Sequence, residues 1–116
     1  MVEAKGGGII THTVRVTVGA DTLTYDPCCV HANPGERITW EIGDHHGLAV
    51  IIKAFEGPLE ARTLSARMGE PSITATVRRD AKPGFYPYAL VAATRGALLV
   101  ADPEIIVPPP DGRGGR

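Results

Sequence analysis

The sequence predicts an all-β fold, an antiparallel β-sandwich or barrel of about seven or eight short strands with at most one short helix. Three observations lead there. Apolar and polar residues alternate with a period of two through most of the chain. Turn residues return about every 8–12 positions. The 116 residues include 14 glycines and 10 prolines, which break the chain too often for long helices.

The elements follow in chain order. Over 10–18, Ile10, His12, Val14, Val16 and Val18 share one face against Thr11, Thr13, Arg15 and Thr17, the pattern of a half-buried strand. His12 then stands at the core edge, where its ring needs a hydrogen-bond partner. Residues 22–25 form a short second segment. Next, Cys28, Val30 and Ala32 face one way, and Cys29, His31 and Asn33 the other. Asn33-Pro34-Gly35-Glu36 carries Pro and Gly where a type II turn wants them. The runs on either side read as a hairpin, whose second arm, 37–42, turns Ile38, Trp40 and Ile42 inward. After a polar loop at 43–47, the apolar run 48–55 reads as a strand covered on both sides. Residues 59–68 suit a short helix. Ile73, Ala75 and Val77 share a face of the next strand, and 79–84 turns the chain. Residues 85–92 form a strand in which Pro87 marks an edge or a bulge. Phe85, Tyr86 and Tyr88 read as core and sandwich-edge packing. A turn at 94–96 leads to two last strands, 97–101 and 104–107. Burial inside a sheet is the plain reading of this apolar end, and pairing with another chain is the alternative. Pro108-Pro109-Pro110 stops further pairing.

Composition bounds the function. The chain is 43% hydrophobic and 22% charged, as soluble globular domains are. A net charge of -1 gives no basic excess to grip a phosphate backbone, so no nucleic-acid partner is expected. No apolar run reaches the roughly 18 residues of a membrane span, and no apolar leader precedes the first strand. No membrane is therefore expected, and the cytoplasm is the expected compartment. The chain divides into a flexible leader at 1–8, one domain at 9–107 and a Pro/Gly-rich tail at 108–116.

Three ordered segments resemble the cupredoxin family. Val30-His31-Ala32-Asn33-Pro34-Gly35-Glu36-Arg37-Ile38-Thr39-Trp40 is similar to the family's strand, Pro-Gly turn and strand ending in a core aromatic. Gly47-Leu48-Ala49-Val50 resembles the apolar strand after the loop. Ala81-Lys82-Pro83-Gly84-Phe85-Tyr86-Pro87-Tyr88 resembles the approach to the family's copper loop. The resemblance spans roughly 25–107 and implies a cupredoxin-like antiparallel Greek-key β-sandwich. It also implies where copper ligands would stand. The first histidine position falls near Leu48, the cysteine position at Leu90 and the next ligand near Ala93. A blue-copper centre needs a Cys thiolate and two imidazoles, and no His or Cys follows His46. The scaffold is thus expected to carry over without the copper, and no cofactor is expected.

Other residues bear chemistry. Cys29 and His31 share a strand face, and His45 and His46 sit in a loop. Together they form an alternative copper or zinc site if the fold gathers them. The plainer reading makes Cys28 a core residue, Cys29 a half-buried thiol, and His31, His45 and His46 solvated. A cysteine nucleophile assisted by His31 or His46 lacks an oxyanion-hole helix start. Asp44, Glu41 and Glu56 read as solvated acids. Gly6-Gly7-Gly8 precedes a strand and so forms no phosphate cradle. Arg78-Arg79 beside Asp80 reads as a charge cluster at a turn. The expected function is a non-catalytic binding or assembly module, with a protein partner or self-association. Its expected recognition surface is the pair of loops at 43–47 and 92–96, which His45 and His46 would make pH-sensitive.

Overall fold

A computed structural model of the chain describes residues 9–19, 21–42, 47–52, 57–66, 70, 72–94 and 96–109. The described residues are all-β and contain no helix. Among the described residues ten strands run in order: β1 (Thr11–Val18), β2 (Leu23–Asp26), β3 (Cys29–His31), β4 (Arg37–Glu41), β5 (Gly47–Ile52), β6 (Thr63–Ala66), β7 (Ser72–Thr76), β8 (Gly84–Ala93), β9 (Leu98–Ala101) and β10 (Glu104–Val107). The first sheet has the order β2-β1-β4-β7. The second has the order β3-β10-β8-β5-β6, with β9 also paired to β8. The expected leader at 1–8 and most of the expected tail lie outside the described residues.

Period-two alternation becomes burial, as the sequence predicts. Val14 and Val16 of β1, Ile38 and Trp40 of β4, and Ile73 and Ala75 of β7 face inward from the first sheet. Val50, Tyr88, Leu90, Ile105 and Val107 meet them from the second. Trp40 and Tyr88 join the two layers. Trp40 Nε1–H donates to Tyr88 Oη at 2.9 Å, and the rings pack edge to face with centroids 5.6 Å apart. Both side chains are fully buried. Two polar atoms that water cannot reach therefore satisfy each other.

The Pro34-Gly35 turn forms as expected. Gly35 takes φ +88°, and the Glu36 N–H reaches Asn33 O at 3.1 Å. Only a residue without Cβ adopts that φ without strain. The flanking runs, however, form no hairpin: β3 pairs with β10 and β4 with β1 and β7. The chain crosses here from one sheet to the other. Both runs send apolar residues to the same core, so alternation alone does not distinguish a hairpin from a crossover. Crossovers also make β1–β4 and β3–β10 parallel, while the other strand pairs are antiparallel, as the sequence predicts.

His12 finds its partner at this turn. Its Nε2 lies 2.7 Å from Glu36 Oε1, with the two side chains 30% and 15% exposed. Asn33 donates its backbone N–H to the same oxygen at 2.9 Å, and its side-chain amide lies 3.4 Å from Oε2. Partial burial pushes the Glu36 carboxyl up, but the bonds from His12 and Asn33 outweigh it and hold the pKa below the ordinary value.

Four local expectations are corrected. Residues 63–66, within the segment read as a short helix, form strand β6 paired to β5, because a second edge strand completes the hydrogen bonding of β5. β5 is covered on one face only, with Ile51 40% exposed. Phe85 is 70% and Ile10 57% exposed, since parity sends Phe85 outward and Ile10 precedes the first paired residue. Cys28 is exposed rather than core. Pro87, by contrast, sits as an edge residue does. The Tyr88 N–H bonds Pro103 O on the β10 side, so the Pro87 nitrogen points to the β5 side, beyond the last β5 pair, Ile52 with Tyr88.

Two outcomes are expected. Burial pushes the Tyr88 phenol up to about 12, against the smaller pull of the Trp40 N–H. The folded state thus holds this proton more tightly than the unfolded chain, whose value is about 10. Stability should be intact below about pH 10 and should fall toward pH 12 by about 1.4 kcal/mol per unit. Tyr88→Phe should abolish that slope and cost about 1–3 kcal/mol at neutral pH by stranding the Trp40 N–H; urea denaturation across pH measures both. Glu36 contributes stability above the ordinary carboxylate range that is lost as pH falls through its lowered pKa. Glu36→Gln should cost about 1 kcal/mol at pH 7 and flatten that acid limb in thermal melts.

Candidate functional site

The outward face of the second sheet is apolar, and the strand registers build it. β8 turns Tyr88, Leu90 and Ala92 into the core, so Phe85, Pro87, Ala89, Val91 and Ala93 face out. On one flank, Gly47, Ala49 and Ile51 of β5 stand beside Ala93, Val91 and Ala89. On the other, Leu98 and Val100 of β9 stand beside Ala93 and Val91. Ile106 and Glu104 of β10 stand beside Phe85 and Pro87. Phe85 and Leu98 are each 70% exposed and Val100 61%. Among the described strands, Glu104, His31 and Cys29 are the ionisable residues on this face. Thr63 and Ser65 of β6 form a polar border.

Sequence reasoning placed recognition in loops and missed this face. Residues 43–46 of the first expected loop lie outside the described residues, and so therefore do His45 and His46. Residues 92–93 of the second belong to β8, and Thr94 closes a turn onto Ala97, its N–H bonding Ala97 O at 2.9 Å. The signal for the face was present. β5 and β8 are apolar at inward and outward positions alike, and a strand apolar on both faces needs two covers. Among the described residues only the inner cover is present.

The thiol pair departs from strand alternation. Cys28 lies in a bend just before β3, so the two side chains turn the same way and the sulfurs stand 3.1 Å apart. Cys28 is exposed and Cys29 half-buried. The hydrogen bond with Cys28 pushes the Cys29 thiol up, helped by partial desolvation and the charge of Glu104. That is the reverse of the lowered pKa an activated nucleophile requires. His31 is exposed and, two residues on, shares the face of Cys29. Among the described residues, no group of three or more His, Cys, Asp or Glu is placed to hold a metal ion.

The positions that the family resemblance assigns to copper ligands carry aliphatic side chains. Leu90 is fully buried, and Leu48 is 2% exposed. Ala93 faces outward beside Gly47. A cleft of about 390 Å³ near the 79–84 turn is lined by Arg78, Asp80, Lys82 and Tyr86 among others. Arg78 Nε already donates to Asp80 at 3.0 Å, as the turn charge cluster predicts.

No protein-family model matches the chain, and no curated protein matches it. Among solved structures, it is similar to a pseudoazurin from Sinorhizobium meliltoi, with 24% identity, 87% of this chain and 76% of that chain covered, and a TM-score of 0.47. It is also similar to an amicyanin mutant in its reduced Cu(I) form at pH 4, with 20% identity, coverage of 86% and 82%, and a TM-score of 0.49. A second amicyanin mutant, in the Cu(I) state, gives the same values. The all-β, two-sheet architecture itself stands on the strand pairings. Among the described residues, no helix is long and apolar enough to cross a membrane.

Proposed function

We propose that the chain is a cupredoxin-like assembly module of the cytoplasm, without copper and without catalytic turnover, which joins a second copy of itself through the outward face of its second sheet. The observation that carries this reading is the apolar surface spanning β5, β8 and β9. β8 runs about 33 Å, with β5 on one flank and β9 on the other, each about 4.8 Å away. The apolar patch is therefore on the order of a few hundred Å², the size at which an exposed apolar patch on a monomer marks an interaction site.

A second copy suits the face better than a charged partner does. Glu104 and His31 lie toward the β3 margin, so two faces meet without opposed charges at the centre. The relief is also self-complementary. Gly47, Ala49, Ala89 and Ala93 are low, while Val91 stands among them and Ile51, Phe85, Leu98 and Val100 rise around them. A two-fold axis lays the raised side chains of one copy on the low ones of the other, at the ordinary separation of about 10 Å for stacked sheets.

The copper-free part of the reading rests on donor chemistry. Leu48, Leu90 and Ala93 have no lone pair to offer a copper ion. The alternative set of Cys29, His31, His45 and His46 has only its first two members among the described residues.

Sedimentation equilibrium should show a dimer with a dissociation constant on the order of micromolar. Leu98→Glu with Val100→Glu should shift it to monomer, weakening association about a hundredfold or more by desolvating charge, while circular dichroism stays unchanged. A wild type that remains monomeric at millimolar concentration overturns the assembly reading, as does a charge variant that dimerises equally well. Separately, titration with Cu(II) and Zn(II) should give neither an intense blue thiolate-to-copper band nor tight stoichiometric metal. Either result, abolished by His46→Ala, would establish the alternative metal site.

A further inference from the structure

We propose that Cys28 and Cys29 form a chelating dithiol site for a trivalent arsenical, the two sulfurs binding one arsenic centre. The geometry carries the argument. Adjacent residues in a regular strand point to opposite faces, yet the bend at Cys28 brings these sulfurs to 3.1 Å. Both are reduced and reach the surface, Cys28 fully and Cys29 in part.

The bite distance selects among ligands. A disulfide holds its sulfurs at about 2.05 Å, an ångström closer, and needs an oxidant. Tetrahedral zinc, with bonds of about 2.3 Å, spreads two sulfurs to about 3.8 Å and asks for two further donors. Among the described residues no third donor is placed to join the pair. A pyramidal centre with sulfur bonds of similar length, about 2.3 Å, and bond angles near a right angle spans about 3.2 Å. Trivalent arsenic has that geometry, and an organoarsenical supplies its own third substituent. Two protein sulfurs are then enough.

The chemistry balances without a redox step. An arsonous acid carries two As–OH groups. Each As–O bond breaks as an As–S bond forms, and each thiol proton leaves with the displaced hydroxyl as water. Neutral thiols are the reactants, in keeping with a Cys29 thiol that stays protonated at neutral pH. The carboxylate of Glu104, the register partner of Cys29, does not repel a neutral arsonous acid but does repel an arsenate anion.

The test uses the full chain, kept reduced with a phosphine, and phenylarsine oxide as the probe. Intact mass should show one phenylarsenic unit per chain with both free thiols lost, reversed by excess ethanedithiol. Cys28→Ala and Cys29→Ala should each weaken binding about a hundredfold or more, because the second sulfur acts at high effective concentration. The folded chain should bind more tightly than the same chain in urea, and arsenate should not bind. Equal affinity in a single-cysteine variant overturns the site. Equal affinity in urea overturns the claim that the fold sets the bite. Neither outcome bears on the dimer, which sedimentation reads independently.

Discussion

The bond between Trp40 Nε1–H and Tyr88 Oη decides more than the local packing. β8 is apolar at both its even and its odd positions, so hydrophobicity alone does not specify which set faces the core. A slip of one residue would exchange the two faces. Tyr88 breaks the tie. Its hydroxyl is buried and needs a donor, and the indole of Trp40 needs an acceptor. Only the inward placement of Tyr88 serves both, since the outward one would strand the Trp40 N–H in the core. Once Tyr88 is in, Leu90 and Ala92 are in, and Phe85, Ala89 and Val91 are out. The exposed apolar face is thus a consequence of one buried polar pair.

A second polar contact fixes the first sheet. Glu36 gathers His12 from β1 and Asn33 from the turn. The backbone repeats the link, with the Arg37 N–H on Ile10 O at 2.9 Å. These bonds hold β1 parallel to β4 with Thr11 opposite Arg37. Parallel neighbours have no hairpin to set their register, so a side-chain clamp at the entry to the pair has particular value. The bonds are charge-assisted, which makes them stronger than neutral ones.

Much of this was legible in the residues themselves. The alternation in 10–18, 37–42 and 72–78 gave β1, β4 and β7 with the correct face inward. Asn33-Pro34-Gly35-Glu36 gave its turn, and an apolar-face His12 gave its bonded histidine. What escaped was whatever depends on the partner rather than on the strand. Whether the runs around Pro34-Gly35 pair with each other or cross between sheets is decided by competition among all the strands, which a period of two does not encode. Residues 63–66 have helix-compatible composition, and β5 overrode it by offering an unpaired edge. The outward face was visible only as an oddity, strands with no polar side. The thiol pair was hidden by applying strand parity to Cys28, which precedes the strand.

Two breaks in regular extension give the second sheet its final form. One is the bend at Cys28. The other is Asp102-Pro103, which divides what would be one long strand into β9 and β10 along the same flank of β8. The ladder continues across this break, because the Tyr88 N–H bonds Pro103 O at 3.0 Å. The division has a consequence for the flank beyond. β3 is only three residues long and pairs with β10, while β9 pairs, among the described strands, with β8 alone. Leu98 and Val100 are therefore held on a strand whose neighbour on one side ends early. The most exposed aliphatic side chains of the sheet stand at its least covered corner. Cys29 and Glu104 mark the point where cover begins. Tyr88 is thus held by Trp40 on the core side and by Pro103 along the ladder, so the bond that orients β8 and the break that uncovers β9 meet at one residue.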